Sequence, residues 1–90
     1  MINMVSMTDV NVVWVSGAGS GMGRAAAVEL ARGGRRLALS GRRSDALEET
    51  AELVRQAGGE ALALPLDVGR EDAGPVARLI VEQWGRIDAL

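Results

Sequence analysis

Short apolar runs alternate along the chain with longer segments of mixed polarity. The runs lie at residues 10–15, 37–40 and 61–66, and each is followed by a glycine or a polar turn. Short runs of this kind, rich in branched aliphatic residues and bounded by turn residues, are typical of buried strands. The pattern predicts three strands, and residues 87–90 read as the beginning of a fourth.

Two segments between these strands have helical patterns. Residues 24–32 are strong helix formers and stop at a pair of glycines. A second helix is predicted to begin at Ser44 or Asp45, either of which can cap it, and Asp45 with Glu48 has capping-box spacing. This helix ends at another glycine pair and carries one apolar stripe. The stripe consists of Leu47, Ala51 and Val54.

A third helix is predicted between a polar turn at residues 67–72 and Gly85, with Pro75 in its first turn. Strands that alternate with helices at this spacing predict a parallel sheet covered on both faces. The expected fold class is therefore α/β with a doubly wound parallel sheet. The predicted order of elements is β-α-β-α-β-α, followed by the start of a fourth strand.

The inventory of side chains limits the chemistry available to the 90 residues. The chain contains no Cys, His, Tyr or Phe, and all ten of its basic residues are Arg. Disulfides, thiolate or imidazole catalysis, imidazole zinc sites, Schiff bases and phenol acid/base chemistry are thereby excluded. Binding through backbone groups, guanidinium groups and carboxylates remains.

Charge and hydropathy argue against two kinds of partner. The net charge of −2 gives no general attraction for nucleic acid or an anionic membrane, and two tryptophans are too few for a base-stacking platform. The N-terminus lacks a positively charged region, and its apolar run is too short for a signal sequence or a membrane span. A cytoplasmic protein is expected.

Residues 16–23 (SGAGSGMG) form the densest motif and lie between a predicted strand and an Ala-rich helix. Gly17 is expected to permit a tight turn, Gly21 a close approach of the backbone to a pyrophosphate, and Gly23 close packing of helix on strand. N–H groups at the helix start would face that ligand. The loop residues expected to bind it are Gly17, Ser20, Gly21, Met22 and Gly23.

The spacing of the glycines limits the classes of ligand that the loop can bind. A P-loop requires a Lys, which the chain lacks, and G-x-G-x-x-G is not matched from either Gly17 or Gly19. The pattern that fits is G-x-x-x-G-x-G, at Gly17, Gly21 and Gly23. Here the chain resembles the short-chain dehydrogenase/reductase family, whose Thr-Gly-x-x-x-Gly-x-Gly loop is matched with Ser16 in place of Thr.

The resemblance carries expectations for the cofactor. About 20 residues past the loop, where an acidic residue would bind the ribose of NAD, the chain has Gly41, followed by Arg42 and Arg43. In this family such a pattern implies NADP rather than NAD, since a guanidinium group can hold the 2′-phosphate. Asp67 and Val68 match the positions that meet the adenine ring.

The resemblance implies a Rossmann-type domain of which this chain is the N-terminal portion. Residues 1–9 are expected to form a flexible leader, and residues 10–90 a partial dinucleotide-binding domain truncated at the fourth strand. The expected function is that of the NADP-binding part of a short-chain oxidoreductase, which transfers a hydride between NADP(H) and an alcohol or carbonyl substrate. The parent protein is also compatible with a homo-oligomer.

The family's catalytic Ser, its Tyr-x-x-x-Lys pair and its structural Asn lie beyond the matched segment, so no catalytic residue is assigned here. Two alternatives stay open. The first is a self-standing, non-catalytic nucleotide-binding or interaction module. The second is a truncated methyltransferase, whose G-x-G-x-G loop is matched at Gly17, Gly19 and Gly21, although Val15 stands where that loop usually has an acid.

Overall fold

The computed structural model describes residues 11–66, 74–85 and 87, and its strands and helices alternate as predicted. The elements are β1 (Val12–Ser16), α1 (Gly21–Ala31), β2 (Arg36–Gly41), α2 (Ser44–Gln56), β3 (Glu60–Pro65) and α3 (Gly74–Trp84). The predicted leader and residues 88–90 of the predicted fourth strand lie outside the described residues. Ile87, the first residue of that strand, is described and belongs to no strand.

The three strands form a parallel sheet in the order β1-β2-β3. Val12 of β1 lies opposite Arg36 of β2, which in turn lies opposite Glu60 of β3. This arrangement is one half of a doubly wound Rossmann-type sheet, so the predicted fold class is confirmed. Because the strands are parallel, their carboxyl ends and the loops that follow β1 and β2 lie at one edge.

Side chains that alternate along the strands divide the core into two clusters. Helices α1 and α2 cover one face, where Leu37 and Leu39 of β2 are completely buried. On the other face, Ile80 of α3 packs with Val12 and Trp14 of β1. Both faces of the sheet are therefore covered, as the alternation of strands and helices predicted. No helix within the described ranges is long and apolar enough to cross a membrane.

Helix α1 begins three residues earlier than predicted, at Gly21 rather than Arg24. Glycine is a poor helix former, so the composition of the glycine motif conceals a helical turn that the tertiary structure imposes. The C-terminal end of α1 was predicted at residue 32 and is observed at Ala31. The N–H of Gly34, whose φ is +78°, donates to the carbonyl oxygen of Ala31 at 2.9 Å.

Helix α2 buries the predicted stripe but begins without the predicted cap. Its N-cap is Arg43, whose side chain makes no capping hydrogen bond, so the prediction that Ser44 or Asp45 is the cap residue is wrong. Both residues already lie inside the helix, and the Asp45 carboxylate accepts the N–H of Ala46 at 2.9 Å. Gly58 follows the last turn with φ of +106°, consistent with the predicted glycine stop.

A buried hydrogen bond connects β1 and β2 on the face covered by α3. The indole N–H of Trp14 donates to the hydroxyl of Ser40 at 2.9 Å, and Ser40 is fully buried. An unpaired polar group at this depth is unfavourable, so each side chain satisfies the other. The pair allows a large aromatic ring to fill this side of the core without leaving its N–H unsatisfied.

We expect Ser40→Ala to lower the free energy of unfolding by about 1–3 kcal/mol, because the buried indole N–H of Trp14 loses its acceptor. Ser44→Ala is the matched control. Ser44 is exposed and caps nothing, so its replacement is expected to change stability by less than about 0.5 kcal/mol. Urea denaturation followed by circular dichroism measures both values, and equal midpoints for the two variants would contradict the expectation.

Candidate functional site

The glycine loop, which lies within the motif at residues 16–23, and the turn after β2 meet at the carboxyl edge of the sheet. The N–H of Ala18 donates to the carbonyl oxygen of Ser40 at 3.0 Å, which fixes the loop beside the end of β2. Between loop and turn lies an open cleft of about 410 Å³. Four of the predicted binding residues line it: Gly17, Ser20, Arg42 and Arg43.

Two glycines of the loop adopt backbone conformations that other residues rarely use. Gly17 has φ of +62° and Gly21 has φ of +58°. A Cβ atom at either position would have no heavy atom within 4 Å, apart from its immediate chain neighbours. Conformation, rather than lack of space, is therefore what requires glycine at these two positions.

Gly23 is required for a different reason. A Cβ atom there would overlap the carbonyl oxygen of Gly17, lie 2.8 Å from its carbonyl carbon and lie 3.2 Å from the Cα of Ala18. The sequence predicted close packing of the helix against the strand at this glycine. The close neighbour is instead the loop that leaves the strand, so Gly23 sets the distance between helix α1 and its own preceding loop.

The first turn of α1 is open to a ligand. Ser20 is the N-cap but makes no side-chain capping hydrogen bond, and the first turn contains no acidic residue. Uncapped N–H groups and the positive end of the helix dipole together favour a bound anion. Met22, another predicted binding residue, lies in this turn and is 89% exposed.

The two arginines after β2 differ in their surroundings. The guanidinium group of Arg43 donates to the carboxylate of Asp45 at 3.2 Å. This hydrogen bond, the N–H of Ala46 and the positive charge of Arg43 together hold the pKa of Asp45 below its ordinary value. Arg42 has no hydrogen bond or ion pair with any of the described residues.

Gly41 lies close to both the glycine loop and helix α2. A Cβ atom there would lie 3.3 Å from the side chain of Leu47 and 3.8 Å from the backbone nitrogens of Ala18 and Gly19. The end of β2 therefore approaches the glycine loop closely, and no carboxylate projects from this position. This geometry supports the reading of Gly41 as the neutral position beside the cleft.

The predicted adenine contacts, Asp67 and Val68, lie outside the described residues. The chain that leads to them is described: Leu66 is buried, and its N–H donates to the carbonyl oxygen of Gly41 at 2.8 Å. The end of β3 is therefore held beside the end of β2.

Two residues beside the glycine loop, Arg24 and Thr50, were not predicted from the sequence. The guanidinium group of Arg24 donates to the hydroxyl of Thr50 at 2.8 Å and to the carbonyl oxygen of Gly19 at 2.7 Å. The hydroxyl of Thr50 donates to the carbonyl oxygen of Ala18 at 2.7 Å. An arginine in helix α1 and a threonine in helix α2 carry no signal in the sequence that they meet at the glycine loop.

The close contact at Gly23 leads to a prediction about stability. We expect Gly23→Ala to lower the free energy of unfolding by about 1–3 kcal/mol, because the new methyl group meets backbone atoms that cannot move aside. A Gly→Ala change in an unobstructed helix has the opposite sign and gains about 1 kcal/mol.

Gly33→Ala is the control for this substitution. The three heavy atoms nearest to its Cβ would all belong to the guanidinium group at the end of the Arg35 side chain, and a long side chain can shift. The expected change is less than about 0.5 kcal/mol. Chemical denaturation of both variants decides the matter, and a Gly23→Ala protein as stable as the parent chain would refute the steric argument.

Comparison with known proteins places this geometry in a family. The family model described as short chain dehydrogenase matches residues 11–90. An uncharacterized oxidoreductase of Listeria innocua is 38% identical over 80 residues, which cover 88% of this chain and 32% of that protein. The short-chain dehydrogenase/reductase homolog YusS of Bacillus subtilis is 38% identical over 81 residues, which cover 88% of this chain and 74% of that protein.

A solved structure agrees with these sequence matches. A metagenomic short-chain oxidoreductase, crystallised in complex with NADP, is 32% identical and superposes with a TM-score of 0.84. The match covers 94% of this chain and 39% of that protein. The glycine loop, the parallel sheet and these similarities lead to one conclusion: the chain belongs to the short-chain dehydrogenase family.

Proposed function

We propose that the chain forms the adenosine and pyrophosphate half of an NADP site in a short-chain oxidoreductase. The family uses NAD or NADP, and the choice depends on the turn after β2. The observation that carries the proposal is the position of Arg42, which lines the same cleft as the glycine loop and has no partner among the described residues. The metagenomic relative with bound NADP supports the same choice.

The residues present fit the phosphate groups of this cofactor. The uncapped first turn of α1 offers N–H donors suited to a pyrophosphate, and the bare backbone at Gly21 allows a close approach. Arg42 offers a guanidinium group for the 2′-phosphate. The proposed binding set is Gly17, Ser20, Gly21, Met22, Gly23, Arg42 and Arg43 at the cleft, with Asp67 and Val68 at the adenine.

The carboxylates at the cleft are engaged with arginines of the chain. Asp45 is paired with Arg43 at 3.2 Å, and Glu49 is paired with Arg24 at 3.3 Å. Each pair reduces the repulsion that its carboxylate would exert on a phosphate group. Of the described arginines that line the cleft, Arg42 is the one without an ion-pair partner, so we expect this residue to contribute most to recognition of the 2′-phosphate.

The reaction proposed for the parent protein is reversible hydride transfer with an alcohol or carbonyl compound. The nicotinamide ring of a bound cofactor supplies or accepts the hydride. The chain spans 32% of the Listeria relative and contains neither Tyr nor Lys. No residue of this chain can therefore perform the proton transfer of a Tyr–Lys pair. The role of this chain is to bind and orient the cofactor.

One comparison favours a second candidate function. The chain covers 74% of the short Bacillus subtilis relative, in contrast to 32% of the Listeria protein. A relative of this length is compatible with a nucleotide-binding module that performs no hydride transfer. Both candidates require the same nucleotide site and differ in whether catalysis follows.

The cofactor choice can be tested with two nucleotides that differ by one phosphate group. We expect 2′,5′-ADP to bind about tenfold more tightly than 5′-AMP at low salt, because Arg42 makes a charge-assisted hydrogen bond with the added 2′-phosphate. Since Arg42 is exposed, the ratio should shrink as salt is added. Calorimetry with the 90-residue chain measures both dissociation constants.

Arg43→Ala is the matched control for Arg42→Ala. We expect Arg42→Ala to bring the two affinities nearly together, whereas Arg43→Ala should retain most of the ratio, because Arg43 is already paired with Asp45. Equal affinities of the unmodified chain for the two nucleotides would remove the basis for assigning NADP.

A second prediction concerns turnover. We expect the purified 90-residue chain to oxidise no NADPH above the buffer background with alcohol or carbonyl substrates, since it has no Tyr or Lys to move the proton. Absorbance at the NADPH maximum follows the reaction, with a complete short-chain reductase as the positive control. Steady oxidation that rises in proportion to the protein concentration would contradict this expectation.

A further inference from the structure

The interior contact between the glycine loop and helix α2 is polar. The side chain of Arg24 is 28% exposed and leaves helix α1 toward the loop, and Thr50 is fully buried on α2. Nη2 of Arg24 lies 2.7 Å from the carbonyl oxygen of Gly19, 3.1 Å from that of Ala46 and 3.3 Å from the carboxylate of Glu49. One guanidinium group thus connects the loop with two successive turns of α2.

The hydroxyl of Thr50 extends this connection by one residue. It accepts the Nε–H of Arg24 at 2.8 Å and donates to the carbonyl oxygen of Ala18 at 2.7 Å. Consecutive carbonyl groups of the loop, those of Ala18 and Gly19, are therefore both held on the side of the loop that faces Thr50 and Arg24. Hydrogen bonds in such a chain reinforce one another in a partly buried setting.

The direction of these carbonyl groups fixes the direction of the neighbouring N–H groups. In a trans peptide the C=O of one residue and the N–H of the next point in opposite directions. The N–H groups of Gly19 and Ser20 must therefore point away from Thr50 and Arg24. Gly19 and Ser20 both line the cleft, and a Cβ atom at Gly41, which lines it as well, would lie 3.8 Å from the nitrogen of Gly19.

These two N–H groups have no hydrogen-bond acceptor within the described part of the chain. A rotation of either peptide would exchange its N–H for a carbonyl oxygen and place partial negative charge toward the cleft. An anion bound there would then meet repulsion in place of a donor.

We propose that Arg24 and Thr50 are positioning residues, which hold the peptides of Ala18 and Gly19 in the orientation that presents N–H groups to a phosphate of the ligand. The proposal rests on the nucleotide site proposed above and adds the device that keeps its loop in a binding orientation. Thr50 is not among the residues that line the cleft, whereas Arg24 is, so the hydroxyl of Thr50 acts on the ligand only through the loop.

Two substitutions at one position test the device. Thr50→Val keeps the volume of the side chain and removes the hydroxyl, whereas Thr50→Ser keeps the hydroxyl and removes a methyl group. We expect Thr50→Val to weaken 5′-AMP binding about tenfold and Thr50→Ser to bind within about twofold of the parent chain. If Thr50→Ser, which lacks the methyl group, still binds 5′-AMP, the hydroxyl positions the loop. A role in packing alone would instead depend on the methyl group.

A ratio of affinities provides the readout that a general loss of structure would not preserve. Since Arg42 is unchanged, the ratio of 5′-AMP to 2′,5′-ADP dissociation constants should stay at the parent value in Thr50→Val. Parent affinity for 5′-AMP in a cooperatively folded Thr50→Val protein would overturn the proposal, and so would equal losses in the Val and Ser variants.

A measurement without nucleotide separates this proposal from the nucleotide site itself. In ¹⁵N-correlated NMR spectra of the unliganded chain, the amides of Gly19 and Ser20 should overlay the parent spectrum in Thr50→Ser and shift or broaden in Thr50→Val. If the parent chain binds neither nucleotide, the proposed function falls, and the amide comparison alone still decides the positioning role.

Arg24→Lys provides a second variant if Thr50→Val does not unfold cooperatively. A Lys keeps the charge but cannot reproduce the fixed fork that reaches Thr50 and Gly19 together. Its control is Arg32→Lys at the C-cap of the same helix, where the arginine is exposed and paired with Glu29. Loss of 5′-AMP affinity in Arg24→Lys alone supports the proposal, and equal affinities in the two variants overturn it.

Discussion

The contact between helix α1 and its own preceding loop sets the geometry of the candidate site. It exists because Gly23 has no side chain, which lets the first helical turn lie against the carbonyl group of Gly17. The same helix reaches the sheet through small side chains, with Ala27 and Ala31 fully buried. A helix held this close brings its N-terminal N–H groups to the carboxyl edge of the sheet, where the cleft lies.

The three arginines that line the cleft differ in whether they are paired with carboxylates of the chain. Arg24 and Arg43 donate hydrogen bonds to other groups of the chain, and each neutralises one carboxylate beside the cleft. Arg42 and the first turn of α1 are left to face the solvent. The donors left exposed at the cleft are therefore backbone N–H groups and one guanidinium group, in a molecule whose overall charge is −2.

Sequence patterns predicted those features that depend on neighbours along the chain. Strand positions and the stripe of α2 follow from apolar periodicity, and Gly17, Gly21 and Gly23 follow from their spacing. The start of α1 was missed because glycines mask helical potential, and the cap of α2 because one residue of displacement moves Asp45 into the helix.

Contacts between distant positions had no such local signal. The Arg24–Thr50 hydrogen bond joins residues 26 positions apart, and so does the Trp14–Ser40 bond. Only the folded sheet brings these side chains together, whereas composition shows each of them as an ordinary polar or aromatic residue.

The unequal depth of the two core clusters has a further consequence. Helix α3 buries one side chain completely, Ile80, whereas α2 has four buried residues. Sub-global opening is cheapest where the fewest apolar contacts break, so amide hydrogens of α3 should exchange with solvent through a smaller opening than those of α2. The sheet with α1 and α2 then forms the more persistent cooperative unit, and the glycine loop belongs to that unit.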